Sequence, residues 1–464
     1  MDETKKNKEK KREQNIRVTP SVILADGSLA EMVYLPEEGR TLFCVCNPNG
    51  EVRYEDSLND KGQRILPYSP HNNLLMNEVV LFPSQVTEYG SEESLLQDIQ
   101  SFIHRYVDVS PLYEQMTSYY VLFSWVYDCF GELPYLRLRG DMGSGKTRAL
   151  LIIGSLCYKP IFASGASTVS PLFRLLDAMR GTLIIDEGDF RFSDEKAEII
   201  KILNNGNARG FPVLRSESMD GKEFSPKAYT VFGPKLVSTR GFFQDRALES
   251  RCLTEEMGGR PLREDIPINL TPEYKQEALD LRNKLLLFRF RNFGKKKIDP
   301  TLVDRSIEPR LAQIFVPLLS VINDPEAQKA VLQVAREYHS ELLADRGFDI
   351  EAQILEIILE VWNRPDNPTL SVKDITRLVT ERHGDEFTRK VTPHWIGYVI
   401  RRKLGLKTER HGGGYIIAGS EGTKLARLGE KYGILDQPTP EKDSVNSVNF
   451  NLPLAPPEQQ QDGA

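Results

Sequence analysis

The chain has 464 residues, 40% hydrophobic and 27% charged, with a formal net charge of −6. That length suggests two to four domains of ~100–200 residues, and the composition lets each bury a core. The negative balance excludes a bulk polycation, so contact with nucleic acid must come from local basic patches.

Residues 1–16 mix Lys with Glu and read as a disordered, solvated arm. From 17 to about 90, short apolar runs such as Ser21–Leu24, Leu42–Cys46 and Val79–Phe82 alternate with Gly, Asn, Pro and Asp turns, the pattern of a β-rich N-terminal domain. Two linker helices are expected within 91–131, around 92–107 and 112–130. From 132 to 260 strands and helices alternate: Tyr135–Leu138, a helix from Lys146 to Tyr158, a Ser170-Pro171 helix start, Leu183–Ile185, a helix at 194–204, and Pro234–Thr239. Such alternation predicts an α/β fold, a parallel sheet with helices on both faces. Helices are expected at 272–293 and 308–346, within a segment from 261 to 347; a compact segment follows at 348–432. Residues 433–464, rich in Pro, Asn, Gln and Ser, read as a disordered tail. The five cysteines form no second pair to complete a zinc site, and no apolar run reaches the ~18 residues of a membrane span, so a cytoplasmic protein is expected.

The sharpest motif is Gly140-Asp141-Met142-Gly143-Ser144-Gly145-Lys146-Thr147, which fits G-x-x-x-x-G-K-[ST] between a predicted strand and a predicted helix. The glycines let backbone amides curl around a phosphate, and Lys146 brings charge to the β- and γ-phosphates. Thr147 is a magnesium ligand in such loops. The apolar strand Leu183–Ile185 then delivers Asp186 and Glu187: Asp186 to hold the hydrated magnesium, Glu187 to polarise the attacking water as general base. ATP and Mg2+ are the expected substrate and metal.

The run from Tyr135 to about Met257 resembles the AAA+ family, specifically the helicase modules of phage and plasmid replication proteins. These are related in layout to superfamily III and minichromosome maintenance helicases. The resemblance makes Pro234–Thr239 a sensor-1 strand in which Thr239, or Ser238, positions the lytic water. It makes Asp245–Arg251 an arginine-finger segment, with Arg251 the first choice of finger and Arg246 the second. Arg310 takes a sensor-2-like position in what would be a helical lid. A finger acting on the neighbouring subunit implies a ring, a homo-hexamer.

Two regions point to DNA. Strand-like runs on either side of Asp220-Gly221 predict a hairpin before sensor 1. In the resembling ring helicases such a hairpin enters the channel; Lys222 would stand at its tip and Arg215 on an arm. In 348–432, three helices and a Gly-tipped hairpin resemble a winged helix-turn-helix. The third helix carries Tyr398, Arg401 and Arg402 opposite the apolar stripe Trp395, Ile396, Val399 and Ile400, and Arg410 lies on the wing. Together these features read as an ATP-driven translocase acting on single-stranded or forked DNA, with any primase a separate partner. The rivals are an ATP-switched DNA-binding initiator or regulator and an AAA+ remodeller that does not act on DNA.

Overall fold

The computed structural model describes residues 16–186, 194–219, 223–243, 245–259, 261–347, 350–364, 370–383, 391–412 and 414–435. Glu187 and Lys222 therefore lie outside the described residues, as does the side chain of Arg246. The chain divides into two compact units, 1–339 and 340–464.

The first unit opens with seven strands: β1 Ile16–Val18, β2 Ser21–Ile23, β3 Leu29–Leu35, β4 Arg40–Cys46, β5 Val52–Glu55, β6 Leu58–Asp60 and β7 Gln63–Leu66. They form an antiparallel sheet β2-β3-β4-β5 and a small sheet β1-β7-β6. Ala30, Phe43, Val45, Leu58 and Ile65 close the core between them. Val79–Phe82, expected as a strand, forms only an isolated bridge between Val80 and Ile161. Pro83 ends the run, because it has no N–H to continue a ladder.

After the short helix α1 (Asn73–Met76) come α2 (Glu92–Tyr106) and α3 (Pro111–Val126). Ser91 and Ser110 cap them by accepting the amides of Ser94 and Tyr113, each worth roughly 1 kcal/mol. The central sheet follows: β8 Tyr135–Arg139, α4 Lys146–Leu156, β9 Ile161–Ser164, α5 Val169–Met179, β10 Leu183–Asp186, α6 Asp194–Asn205, the hairpin β11 Val213–Met219 and β12 Glu223–Tyr229, β13 Lys235–Thr239, α7 Arg246–Glu249 and β14 Cys252–Glu256. Five strands pair in the order β14-β8-β13-β10-β9, all in parallel. The chain leaves β8 toward β9 on one side and later returns to β14 on the other, so the crevice at the carboxyl end of β8 is a topological switch point.

Helices lie on both faces. α4 packs on β8, β10 and β13. Tyr135 and Arg137 reach the opposite side, where the Tyr135 hydroxyl donates to Leu203 O and Arg137 grips Glu249 of α7. Buried parallel strands read as apolar runs, yet β13 begins with the fully buried Lys235. Its ammonium donates to the carbonyls of Gly206, Val231 and Gly233 at 2.8–3.3 Å, so three donors meet three acceptors. Three further helices complete this unit: α8 Glu273–Asn292, α9 Pro309–Leu319 and most of α10 Pro325–Gly347. The expected helical stretch 308–346 is thus broken, and Pro325 starts its second part.

The second unit packs α11 Ile350–Trp362, α12 Val372–His383, α13 Pro393–Tyr398, the hairpin β15 Thr408–His411 and β16 Gly414–Ile417, and α14 Gly422–Lys431 around one apolar core. Ser371 caps α12 by accepting the amide of Asp374 at 3.1 Å. A π-turn over Val399–Lys403 prolongs α13.

Candidate active site

The phosphate-binding loop occupies the switch point. Gly145, in the left-handed region at φ 89°, turns the chain from loop to helix as the N-cap of α4, a conformation that costs most side chains ~1–2 kcal/mol. Gly140 meets a different demand: a Cβ there would stand 2.4 Å from the carbonyl oxygen of Met257. The first amides of α4 have no intrahelical acceptor and face the loop with the positive end of the helix dipole. Lys146 Nζ sits over the mouth of the loop, donating to the carbonyls of Gly140 and Asp141 at 2.7 and 2.6 Å and to Ser144 Oγ at 3.3 Å.

β13 lies between β8 and β10, and this interposition assembles the acidic half of the site. Asp186, at the carboxyl end of β10, accepts a hydrogen bond from Thr147 Oγ1 at 2.7 Å through one carboxylate oxygen. Its other oxygen accepts from Ser238 Oγ at 2.6 Å. Ser238 thus contacts the acid directly. Thr239, the next residue, is also buried, but its hydroxyl has no hydrogen-bond partner among the described residues. Period-2 alternation sends the two hydroxyls to opposite faces. Thr147 and Asp186 supply one hydroxyl and one carboxylate, the sparse donor set that suits Mg2+ shared with phosphates and water. Among the described residues no cluster of three His, Cys, Asp or Glu offers a fuller cage.

A cavity of ≈ 940 Å³ opens beside the loop, bounded by Asp108 and Ser110 before α3 and by the segment from Thr254 to Ile268. Two arginines fix that segment: Arg148 of α4 donates to Pro267 O at 2.5 Å and to Ile268 O, and the backbone amide of Arg263 donates to Asp108 at 3.1 Å. Glu255 accepts both the amide and the hydroxyl of Ser110, at 2.5 and 2.8 Å. Neither the placement of this segment nor the part played by Arg148 was visible in the sequence; the contacts lie more than 100 residues apart, and no local pattern announces them.

Arg251, the first choice of finger, lies elsewhere. The carbonyl of Arg251 accepts the amide of Tyr135 at 2.9 Å, which puts Arg251 at the amino edge of the sheet. The phosphate loop begins at the other edge, roughly 13 Å along β8 at about 3.3 Å per residue. The Arg251 guanidinium donates to Asn204, which in turn donates to Asp245. Burial lowers the Arg251 pKa, and the positive charge of Arg310 lowers it further. The two arginines are therefore neighbours, 59 positions apart in the chain.

The DNA-facing candidates divide. Arg215 lies on β11 opposite Lys227 and is engaged on the body: it pairs with Glu198 of α6 at 2.7 Å and lies over the Phe173 ring. That hydrogen bond holds the Glu198 carboxyl below its ordinary range. In the second unit, Tyr398, Arg401, Arg402 and Arg410 are all exposed, while Ile396, Val399 and Ile400 are buried. Arg401 leans over the Tyr415 ring, 5.6 Å from its centroid.

No protein-family model and no curated protein matches the sequence. Several solved structures share part of the chain course. The C-terminal region of NrS-1 is 12% identical, with 84% of this chain and 96% of that one covered and a TM-score of 0.37. A full-length MCM homolog from Methanopyrus kandleri is 12% identical over 67% of this chain and 74% of that one, with a TM-score of 0.36. The active helicase Cch of SCCmec type IV is 11% identical over 88% and 99%, with a TM-score of 0.31. At this distance they describe a resemblance, and the functional reading rests on the geometry of the site itself.

Proposed function

We propose that the chain is a magnesium-dependent ATPase of the AAA+ type that assembles into a ring, a hexamer, and drives translocation along DNA. The observation that carries hydrolysis is the bridging of Asp186 to Thr147 and Ser238 at the mouth of the phosphate loop. In this reading Lys146 and the loop amides hold the phosphates, and Thr147 and Asp186 hold the metal. Mg2+ supplies charge neutralisation of the β- and γ-oxygens. Glu187 acts as base, and Ser238 orients Asp186. Ser238, on the face that meets Asp186, also positions the attacking water, with Thr239 the alternative. Arg251, with Arg246 as second choice of finger, serves the γ-phosphate held by the adjacent subunit, because the loop of its own chain lies at the sheet edge opposite Arg251; Arg310 takes the sensor-2 role in the lid. The helices after residue 261 form the lid.

DNA engagement is assigned to the β11–β12 hairpin through Lys222 and to the winged helix-turn-helix through Tyr398, Arg401, Arg402 and Arg410. A replicative role with a separate primase is consistent with this layout. Purified protein with ATP and Mg2+ is expected to hydrolyse ATP faster on single-stranded or forked DNA and to displace a strand; absence of both sinks the proposal. A second reading, an ATP-switched initiator, is favoured by the exposed face of the second unit and by the engagement of Arg215 with Glu198. Tight sequence-selective duplex binding without strand displacement would support it instead.

A further inference from the structure

The amino edge of the central sheet carries a second concavity, remote from the phosphate loop. It has a volume of ≈ 560 Å³ and lies within the first unit, between the N-terminal strands and the loops that enter β9, β10 and β13. Four arginines, Arg17, Arg180, Arg209 and Arg289, line it against two aspartates, Asp128 and Asp177.

Their partners decide what this charge means. Arg289 is neutralised within the fold: it pairs with Asp128 at 2.8 Å and Glu31 at 2.6 Å. Asp177 accepts the amide of Thr230 at 3.0 Å. The other three arginines have no ion pair among the described residues. Arg209 is held in place by neutral acceptors, the carbonyls of Phe130 and Asp128 at 2.9 and 2.6 Å, and stacks over Phe232 at 4.7 Å. Arg180 is the C-cap of α5 in left-handed backbone (φ 49°), and Arg17 is exposed on β1. The rings of Tyr127 and Phe232, 5.7 Å apart, also line the cleft. Both Arg180 and Arg209 are near enough to lower the Tyr127 phenol pKa, against the dominant upward push of burial.

A purely structural seam would pair its guanidinium groups with carboxylates. Unpaired cations converging on a concave, partly apolar wall instead focus potential onto an anion. Guanidinium groups beside aromatic faces match a phosphate next to a base, and the volume falls within the ~300–1,000 Å³ of small-ligand sites. We propose that this cleft binds a nucleotide unit, its phosphate against Arg17, Arg180 and Arg209 and its base against the aromatic wall. The unit is either one link of a single strand or a free nucleotide.

The test uses the full chain without ATP, so its outcome is independent of whether the phosphate loop hydrolyses anything. A 4-thiothymidine-bearing oligonucleotide and 4-thiothymidine monophosphate are crosslinked separately, and the modified peptides are mapped. Crosslinks at Tyr127, Phe232 or Tyr68, a third aromatic residue lining the cleft, are expected. The oligonucleotide alone reacting identifies a strand site, and the mononucleotide reacting identifies a free-nucleotide site; either supports the proposal. The variant pairs Arg17→Gln with Arg180→Asn, because both positions are exposed and Asn tolerates left-handed backbone. It should lose these crosslinks and, for the oligonucleotide, lower the slope of log affinity against log salt by about two, one per arginine. Basal hydrolysis should stay at the parent level. No crosslink in the cleft with either probe, or crosslinks that persist in the double variant, overturns the proposal.

Discussion

Arg137 is among the largest fully buried side chains of the protein, and its charge is answered by one residue. Both terminal nitrogens donate to Glu249 of α7, Nε donates to Thr254 Oγ1 at 3.0 Å, and the guanidinium lies 5.1 Å from the Phe243 ring centroid. The side chains are 2% and 19% exposed, so water cannot replace a lost partner. Glu249→Gln removes the counter-charge and leaves a guanidinium unpaired in the core, a change that costs about 3–5 kcal/mol. For a unit of this size that lowers Tm by roughly 4–7 °C. Differential scanning calorimetry on the full chain measures it, with Arg377→Ala as control. Arg377 pairs with Glu381 one helical turn away at 3.1 Å, both largely exposed, and its loss should cost no more than about 0.5 kcal/mol. The double replacement Arg137→Met with Glu249→Leu should recover part of the loss, since the charge of Arg137 goes with its partner and Arg139, which also approaches Glu249, keeps Glu256. A Glu249→Gln variant within about 1 kcal/mol of the parent would refute the reasoning.

Asp186→Asn should lower kcat of ATP hydrolysis roughly 100-fold or more while the protein melts as the parent does, read by phosphate release and calorimetry. Ser238→Ala, which removes one of the hydrogen bonds that orient Asp186, should reduce magnesium affinity or turnover about 10–100-fold, measured by Mg2+ titration of the rate. Arg251→Ala and Lys146→Ala should each be inactive alone, yet an equimolar mixture should recover up to about a quarter of parental activity if the finger acts across subunits. In acid, burial raises the Asp128 carboxyl, but Arg289 outweighs it and leaves the folded pKa below the ordinary carboxylate value. Its contribution is therefore complete above that value and is lost as pH falls through the folded pKa; Asp128→Asn should flatten the acid limb of a stability–pH curve.

The phosphate loop and the acidic strand were legible in the sequence because each is written in consecutive residues. Three of the five core strands, β8, β10 and β13, were legible as apolar runs, whereas the short β9 and the Thr- and Glu-bearing β14 were not; Arg137 and Lys235 sit in buried strands without disrupting them, because the fold supplies Glu249 and three carbonyls respectively. The choice between Ser238 and Thr239 was not legible. Both are small hydroxyl residues, and only the position of β10 beside β13 decides which one meets Asp186. The proximity of Arg310 to Arg251 is likewise tertiary. Val79–Phe82 reads as a strand because its residues favour one, but propensity does not provide a partner, and a single bridge is what the surroundings allow.

Lys146 and Arg251 occupy opposite edges of one sheet. In a ring built as proposed, each chain would take part in two reactions, one as holder of nucleotide and one as donor of charge. A subunit defective at both edges would then silence its own site and its neighbour's. Co-expressed with intact chains, it would depress activity as the square of the intact fraction, the behaviour of a dominant-negative allele, whereas a chain acting alone would be diluted only in proportion.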